Sequence, residues 1–278
     1  MKKFVFLITI LLLFCINVHS QYFKSTVRIN KDISVSGYYD KNGNEAVAYG
    51  RYMKCVSDTL DKFAIVVDYY YRYLGINEYG SPLFYIYTWD YEPDKPQEGL
   101  FRIYENEKGG KIGFANTKGE IVVKPQFDYA YPFSDGMAAF NIGGKPVVVH
   151  DAMTIPVGDR NGYVDCTGEI VIPPIYKYTG DFNNGKAIVK NREKEWLIID
   201  KSGQTLSKIS FPADYIRDIK DGMAGFRDNG KWGYMDDKGN MVIPAQYDAV
   251  WDFSDGKAEV KLGKEFFFIN KKNEKVSD

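Results

Sequence analysis

Short apolar runs alternate with turn sequences along most of the chain. Each run leads into Asp or Asn, then two further residues, then a residue suited to a left-handed backbone. Gly37-Tyr-Tyr-Asp40-Lys-Asn-Gly43 is the first example, and its last position recurs at intervals of 34–39 residues, apart from one interval of 49. The seven positions are Gly43, Gly80, Gly119, Gly168, Gly203, Gly239 and Asn273. A repeat of this length predicts an array built from one supersecondary unit.

Each unit also contains a proline-bearing strand and a second turn. The strands that follow the first turn reach Pro125, Pro173 and Pro244. The second turns are Asp-Gly or Asn-Gly pairs, ending at Gly136, Gly185, Gly222 and Gly256. The segments between turns are rich in Val, Ile, Tyr and Phe, which favour strands, and proline marks a strand end or an edge strand. The pattern predicts an all-β fold of antiparallel meanders, three or four strands each, without helices.

The turn residues have a structural explanation. Asp or Asn at the start of a turn accepts a hydrogen bond from the backbone N–H two residues on. Glycine supplies the positive φ that closes a hairpin through a bulge. Because nearly all the Asp residues fall at such turns, we interpret them as turn formers rather than as catalytic or calcium-binding groups.

The residues 230–234, Gly-Lys-Trp-Gly-Tyr, followed by Asp-x-x-Gly and Val-Ile-Pro-x-x-Tyr-Asp, resemble the WG-repeat (KWG-repeat) family. The resemblance is close at 111–145, 159–194 and 231–265 and weaker at 195–230, where Trp196-Leu197 replaces Trp-Gly. It is weakest at 37–111, where the Trp-Gly pair is missing. The resemblance implies a bacterial, often exported β-rich repeat protein with no catalytic residue and no cofactor.

The repeats predict a single β domain over residues 21–278. Its units are 37–73, 74–110, 111–158, 159–194, 195–230, 231–265 and 266–278, the last completed by 21–36. The seventh copy lacks a closing strand, and Ser25–Asn30 is strand-like. A unit shared between the termini would close a propeller-like ring and remove exposed sheet edges, so we favour the ring. The alternative is an open β-solenoid or superhelix.

Residues 1–20 have the pattern of a signal peptide. Lys2 and Lys3 precede an apolar run from Phe4 to Ile16, and Val18-His19-Ser20 fits a cleavage site. The segment predicts export to the periplasm, cell surface or exterior. Lipidation at Cys15 is the alternative, although the bulky Phe14 before it does not suit it.

Composition narrows the function further. The 278 residues include 36 Lys and Arg against 37 Asp and Glu, which argues against a nucleic-acid partner. Beyond residue 20, the one histidine is His150 and the cysteines are Cys55 and Cys166. We interpret the two cysteines as separate buried thiols, with a disulfide as the alternative. This set suits neither a nucleophile–base pair nor a zinc site, so we predict no catalytic residue, cofactor or metal.

Departures from the repeat are the candidate contact sites, because a scaffold needs only the repeated features. The long interval carries extra residues around 146–160 and holds His150, Asp151 and Arg160. The second unit holds an acidic, aromatic loop from Trp89 through Tyr91 to Asp94. Exposed aromatic faces in such a loop stack on sugars or grip peptides.

A dense aromatic run at residues 69–73 is the third departure. Strand alternation would place Tyr69, Tyr71 and Tyr73 on one face and Tyr70 and Arg72 on the other. One face would then be core and the other an exposed patch.

We interpret the chain as an exported, non-enzymatic scaffold that binds a partner, most readily a protein. The alternatives are a carbohydrate-binding module using exposed Tyr and Trp, and a hydrolase that uses a pair of carboxylates. A carbohydrate-binding module requires two exposed aromatic side chains in one cleft, and a hydrolase requires two buried carboxylates in a pocket.

Overall fold

The computed structural model describes residues 21–31, 33–150, 153–158 and 160–277, and the segment 1–20 with Cys15 lies outside the described residues. Those residues form strands joined by turns, with no helix. None of them therefore forms a helix that could cross a membrane. The prediction of an all-β fold is confirmed.

The strands of the first half belong mostly to two sheets. Sheet I has the order β3-β2-β1-β5, and sheet II has the order β13-β12-β11-β8-β7-β6-β4. The separate hairpin β9–β10 lies between β8 and β11 in the chain. The bounds are β1 Tyr22–Arg28, β2 Ser34–Tyr39, β3 Glu45–Val47, β4 Lys54–Cys55, β5 Thr59–Leu60, β6 Phe63–Val67, β7 Tyr73–Asn77, β8 Pro82–Ile86, β9 Thr88–Trp89, β10 Glu92–Pro93, β11 Leu100–Asn106, β12 Gly109–Asn116 and β13 Ile121–Phe127.

The second half forms four sheets of four strands. Sheet III has the order β14-β15-β18-β19, and the hairpin β16–β17 is inserted in it; sheets IV, V and VI are β20–β23, β24–β27 and β28–β31 in chain order. The bounds are β14 Tyr129–Ala130, β15 Met137–Asn141, β16 Lys145–His150, β17 Met153–Val157, β18 Asn161–Asp165, β19 Ile170–Tyr176, β20 Tyr178–Thr179, β21 Lys186–Lys190, β22 Trp196–Asp200, β23 Thr205–Lys208, β24 Tyr215–Ile216, β25 Met223–Asp228, β26 Lys231–Asp236, β27 Met241–Tyr247, β28 Ala249–Val250, β29 Lys257–Leu262, β30 Glu265–Asn270 and β31 Lys275–Val276.

The predicted turns form as expected. All seven first-turn positions have positive φ, from +66° at Asn273 to +93° at Gly168. At each of these turns the side chain of the opening Asp or Asn accepts two backbone hydrogen bonds, from the residues two and four positions on, as Asp236 does from Lys238 and Asn240. The strands that contain Pro125, Pro173 and Pro244 are edge strands of their sheets, as proline requires.

The lysine of the Lys-Trp-Gly sequence, Lys231, links two turns. Lys231 Nζ lies 2.6 Å from Asp248 Oδ1, and Asp248 Oδ2 accepts a hydrogen bond from Gly263 N at 2.7 Å. Lys111 and Asp128 repeat the same ion pair, and Asp128 accepts from Gly143 N. These exposed pairs fix the position of one hairpin on the next more than they stabilise the fold.

The cores join successive sheets. Sheets III and IV share one cluster of buried side chains, sheets IV and V share the next, and sheets V and VI share the last. In the first half one cluster joins sheets I and II, a second lies within the large sheet II, and a third joins sheets II and III. In β15, Ala138 and Phe140 pack toward sheet II, whereas Met137 and Ala139 pack toward sheet IV. The molecule is therefore a nearest-neighbour array along the part of the chain that the structure describes.

The N-terminal strand does not complete the seventh unit, which corrects the prediction for residues 21–36. Strand β1 pairs with β2 and β5 in sheet I. Sheet VI already has four strands, because β28 and β29 of the sixth copy join β30 and β31 of the seventh. Sheets III to VI thus each take strands from two successive sequence copies. Closure of a ring is not shown.

Both terminal sheets carry polar residues where inner sheets carry apolar ones. Tyr163, Tyr234 and Phe268 occupy the same position in successive repeats. In the inner sheets III and V, Ala139 and Gly225 pair with the two tyrosines, whereas in sheet VI the residue that pairs with Phe268 is Glu259. In sheet I, Ser25 lies opposite Gly37, a position that Phe226 holds in sheet V, and Ser25 Oγ is 2.6 Å from the hydroxyl of Tyr49. Such faces resemble the caps of open repeat arrays and favour the solenoid alternative.

The cap of sheet VI can be tested by making it apolar. We expect the wild type to sediment as a monomer and Glu259→Ile to self-associate as concentration rises, because isoleucine extends the apolar surface beside Phe268. Sedimentation velocity measures this. Glu274→Ile, in a turn, adds the same side chain away from that face and should remain monomeric. A monomeric Glu259→Ile protein would contradict the assignment of this face as a cap.

Two predictions about local structure are wrong. Residues 69–72 form a turn rather than a strand, in which Asp68 accepts hydrogen bonds from Tyr70 N and Arg72 N, and only Tyr73 enters β7. The two cysteines are free, as interpreted, but only Cys55 is buried and Cys166 is exposed.

Candidate functional site

A cleft of about 530 Å³ lies between the loop that follows β8 and the turn that follows β14. Its exposed walls include Trp89 and Tyr131, with 47% and 38% of their surfaces exposed, together with Pro93 and Pro132. Glu92, Lys95 and Gln97 add polar groups to the lining. The cleft therefore combines apolar, aromatic walls with a few polar groups, as binding sites commonly do.

A buried ion pair forms the base of this cleft. Arg102 and Asp94 are only 4% and 8% exposed, and their closest atoms, Nη2 and Oδ1, are 2.6 Å apart. Arg102 Nε and its backbone N–H both donate to Asp94 Oδ2, while Nη1 donates to the carbonyl of Ala130. The guanidinium also lies 4.1 Å from the ring centroid of Tyr87. The pair ties the loop to sheets II and III and leaves neither group free for proton transfer.

Aromatic side chains extend from this base to the rim. Tyr87 contacts Tyr129, and Tyr129 contacts Tyr131 edge-on at 5.0 Å between centroids. Burial, together with the neighbouring Tyr129 and Asp181, raises the pKa of Tyr131 to about 12. Its hydroxyl therefore stays protonated at physiological pH and can donate a hydrogen bond to a ligand.

A second cleft, of about 250 Å³, lies at one edge of sheet II. Arg72 lines it and places its guanidinium 4.8 Å from the ring centroid of Tyr70 and 5.0 Å from that of Tyr85. The same guanidinium bridges Asp68 and Glu107, at 2.6 Å and 3.0 Å. Arg72 thus joins two turns through carboxylates and aromatic faces.

The structure brings some of the predicted contact residues together. Trp89 lines the larger cleft, Tyr91 lies at the tip of the β9–β10 hairpin beside it, and Arg72 lines the smaller one next to Tyr70. All three aromatic residues are exposed. The sequence did not predict that the aromatic loop at 89–94 and the tyrosine run at 69–73 are neighbours. They lie close together because β8 returns the chain to the edge of sheet II where the tyrosine run lies.

Of the remaining predicted residues only Arg160 has a described side chain, and it lines neither cleft. The side chain of His150, at the end of β16, and all of Asp151 lie outside the described residues. Arg160 is exposed. Despite burial, Lys111 and the Gly143 N–H hold the pKa of Asp128 below its ordinary value, and Arg160 adds to this.

Sequence reasoning missed the base and one wall of the larger cleft. Arg102 and Tyr129 occupy ordinary strand positions, so nothing in the repeat marks them. Pro132 and Tyr131 precede the second turn of their unit, where sheet V has Asp218 and Arg217. That local change of residue type was the available signal.

Asp181 and Asp218 form a separate carboxylate pair between sheets IV and V. Asp181 N donates to Asp218 Oδ1 at 2.9 Å, and that oxygen occupies the space that a Cβ on Gly180 would need. Burial and the charge of Asp181 raise the pKa of Asp218 to about 6, with Lys220 opposing and Asp252 adding to the shift. Neither carboxylate lines either of the two clefts described above.

Asp218→Asn should stabilise the protein at neutral pH. The folded pKa of Asp218 lies above its ordinary value of 3.8, so its ionisation weakens the folded state as pH rises from about 4 through 6. Asparagine keeps the hydrogen bond from Asp181 N without the charge. We expect a gain on the order of 1–2 kcal/mol at pH 7.5 and none at pH 3.5, measured by urea unfolding.

Asp252→Asn is the comparison variant, because the charge of Asp252 is the smallest contribution to the shift at Asp218 and its Oδ1 accepts a hydrogen bond from Arg217 Nε at 2.9 Å, which the substitution weakens. Its stability at neutral pH should stay unchanged or fall slightly. Equal gains in the two variants would contradict the assigned origin of the pKa shift.

The described residues contain no group of three or more His, Cys, Asp or Glu placed to hold a metal ion.

Comparison with known proteins bears on the repeat. A family model described as "WG containing repeat" matches residues 112–145, 162–194, 198–232 and 232–265. No curated protein matches the chain.

Solved structures show only distant likeness. The computationally designed Ika8 protein is 11% identical, with a TM-score of 0.45, and the alignment covers 93% of this chain and 86% of that one. A eukaryotic initiation factor is 12% identical, with a TM-score of 0.48 and coverages of 93% and 72%. BamB from Moraxella catarrhalis is 12% identical, with a TM-score of 0.35 and coverages of 82% and 75%. The architecture therefore rests on the strand pairing described above.

Proposed function

Because the chain belongs to the WG-repeat family, with repeats across residues 112–265, we propose that it is a non-enzymatic scaffold that binds a partner protein. The observation that carries this proposal is the larger cleft, where exposed Trp89 and Tyr131 face a fixed base. Aromatic and proline side chains in one groove suit an extended peptide segment, and Trp and Tyr are the side chains that dominate protein interfaces.

The geometry of the same cleft supports binding over catalysis. Its one buried carboxylate, Asp94, is engaged by Arg102 through both oxygens. A carboxylate hydrolase needs two carboxyl groups that converge on a substrate. The pair with a shifted pKa, Asp181 and Asp218, lies elsewhere and is held by a backbone N–H. We therefore assign the cleft to recognition.

We also propose that the chain is exported. Support comes from the sequence of residues 1–20, with Lys2 and Lys3 before an apolar run and a small-residue site after it. Mass spectrometry of the protein purified from its native host tests this. A mature N-terminus at Gln21 is expected, and retention of the full segment in the cell interior would contradict it.

The binding proposal is tested by selecting displayed random peptides against residues 21–278, with Trp89→Ala as the counter-target. We expect enriched peptides that bind the wild type at least about tenfold more tightly than the variant, because a buried tryptophan contact is typically worth about 2 kcal/mol or more. Circular dichroism should show the same unfolding temperature for both proteins, since Trp89 is half exposed.

A carbohydrate ligand is the second candidate, because two exposed aromatic residues line one cleft. The same two proteins on a glycan array separate the candidates. Sugar binding that Trp89→Ala abolishes, with no Trp89-dependent peptide, would overturn the peptide proposal and establish the carbohydrate one.

A further inference from the structure

Two turns hold a tyrosine where equivalent turns hold glycine. Tyr71 has φ +62° and occupies the position that Gly43 and Gly239 occupy in their turns. Tyr91 has φ +63° and follows Asp90 in the two-residue turn of the β9–β10 hairpin, the position of Gly136 in its hairpin. Left-handed backbone is unfavourable for a bulky side chain, so both tyrosines strain the turns that carry them.

The strain is not offset by packing within the chain. Tyr71 is 77% exposed and Tyr91 is 92% exposed. Within the described residues neither phenol makes a hydrogen bond or a ring contact. A strained residue that points into solvent stabilises nothing in its own fold, and strain of this kind concentrates at functional sites. Both rings are therefore available for contacts outside the chain.

The two tyrosines lie along one edge of the molecule. Strands β6 and β8 are both antiparallel to β7 and end beside its start, at Val67 and Ile86. The 68–72 turn and the β9–β10 hairpin therefore leave sheet II at the same edge. Glu92 of the hairpin is close enough to Tyr73 to add to the rise that burial causes in the pKa of Tyr73. Glu92 also lines the larger cleft, which makes the edge continuous with it.

The chemistry of this edge suits a guanidinium group. Asp90 and Glu92 flank Tyr91, and no described cation pairs with either carboxylate. The chain already holds two guanidinium groups in this way: Arg72 between Asp68 and the ring of Tyr70, and Arg102 between Asp94 and the ring of Tyr87. Aromatic faces and carboxylates together favour arginine through cation–π attraction and charge-assisted hydrogen bonds.

We propose that the edge formed by Tyr70, Tyr71 and Tyr91 docks an arginine-bearing segment of the partner protein. The inference rests on the proposed function, in which one segment of the partner protein enters the larger cleft. It adds that a neighbouring segment of the same partner carries arginine. The carboxylates of Asp90 and Glu92 supply charge complementarity to arginine, and the exposed rings supply contact area that the turns already hold in place.

The test uses a fluorescein-labelled Gly-Ser peptide with three spaced arginines, and the same peptide with neutral citrulline at those positions. Fluorescence anisotropy should show that residues 21–278 bind the arginine peptide about tenfold more tightly than the citrulline peptide. The double variant Tyr71→Gly/Tyr91→Gly should lose this preference. Its unfolding temperature should rise by about 2–4 °C per substitution, because glycine accepts the left-handed φ without strain.

Lys194→Gly is the matched control. Lys194 has φ +68° in the same kind of turn, opened by Asn191, and it is exposed but far along the chain in sheet IV. Relief of its strain should raise the unfolding temperature to a similar extent and leave binding of the arginine peptide unchanged. The control shows whether a change in binding of the arginine peptide comes from the lost tyrosine side chains or from the altered flexibility of a turn.

Several outcomes would overturn the inference. They are equal affinity for the arginine and citrulline peptides, wild-type affinity in the double variant, or no binding of the arginine peptide. Failure of the proposed function has a different signature, which is that no displayed peptide binds in a Trp89-dependent way. Trp89-dependent peptides together with equal affinity for the arginine and citrulline peptides would leave the scaffold proposal intact and refute the arginine-docking edge.

Discussion

Gly233→Ala should destabilise the protein by about 3 kcal/mol or more. A Cβ at Gly233 would lie 2.3 Å from the carbonyl oxygen of Ile243 and 2.7 Å from the carbonyl carbon of Pro244, both in the neighbouring strand β27. Backbone atoms inside a paired sheet cannot move aside for a methyl group. The glycine that gives the repeat its name is therefore required by the close approach of the proline-bearing strand, and not by its φ.

Gly230→Ala is the matched control. Gly230 has φ +80°, and no atom lies within 4 Å of the position that a methyl group would take, so alanine there meets only backbone strain, about 1 kcal/mol. Urea unfolding of both variants measures the difference. A smaller loss at Gly233 than at Gly230 would contradict this explanation of the repeat. A Cβ at Gly37, Gly113 or Gly162 would also lie within 2.5 Å of a backbone carbonyl oxygen, so these positions should behave as Gly233 does.

Asp94→Ala should be the second large effect, with a loss of about 3–5 kcal/mol. Removal of the carboxylate leaves the guanidinium of Arg102 buried, with one remaining hydrogen bond, to the carbonyl of Ala130. The loop that forms the wall of the larger cleft is tied to β11 through this pair, so the variant should also lose binding of any peptide that depends on Trp89. Urea unfolding and peptide affinity provide the two readouts.

A double-mutant cycle tests whether Asp94 and Arg102 stabilise the fold as a pair. Arg102→Met replaces the guanidinium with an apolar side chain, and Asp94→Ala/Arg102→Met should be more stable than Asp94→Ala alone, because no charge is then left buried without a partner. Losses that simply add would show that the two side chains do not act as a pair.

The sequence predicted the parts of the fold that recur. Each first turn needs a residue that tolerates positive φ, so seven turns were visible from Gly43 to Asn273, and the structure has all of them. The edge strands were marked by Pro125, Pro173 and Pro244 for an equally local reason. Turn chemistry acts over a few residues and therefore leaves a direct trace in the sequence.

Features that depend on contacts between units were not predicted. The turn at residues 68–72 was interpreted as a strand because Tyr71 stands where glycine would have marked it. The pairing of β1 was assigned to the wrong sheet, because repeat copies and structural sheets are out of phase and only strand register reveals this. Trp89 was recognised as an exception to the repeat, whereas Arg102 and Tyr131 reach the cleft only through the packing of sheet II on sheet III.

Hydrogen–deuterium exchange of residues 21–278, with and without a peptide that binds in a Trp89-dependent way, would locate the binding surface. We expect the peptide to slow exchange in three segments, 68–73, 87–97 and 129–132, which surround the two clefts. The turn around Tyr79, at the opposite edge of sheet II and equally exposed, should exchange at its free rate. Protection centred on that turn or on sheets V and VI, with none around Trp89, would contradict the assignment of the clefts as the binding site.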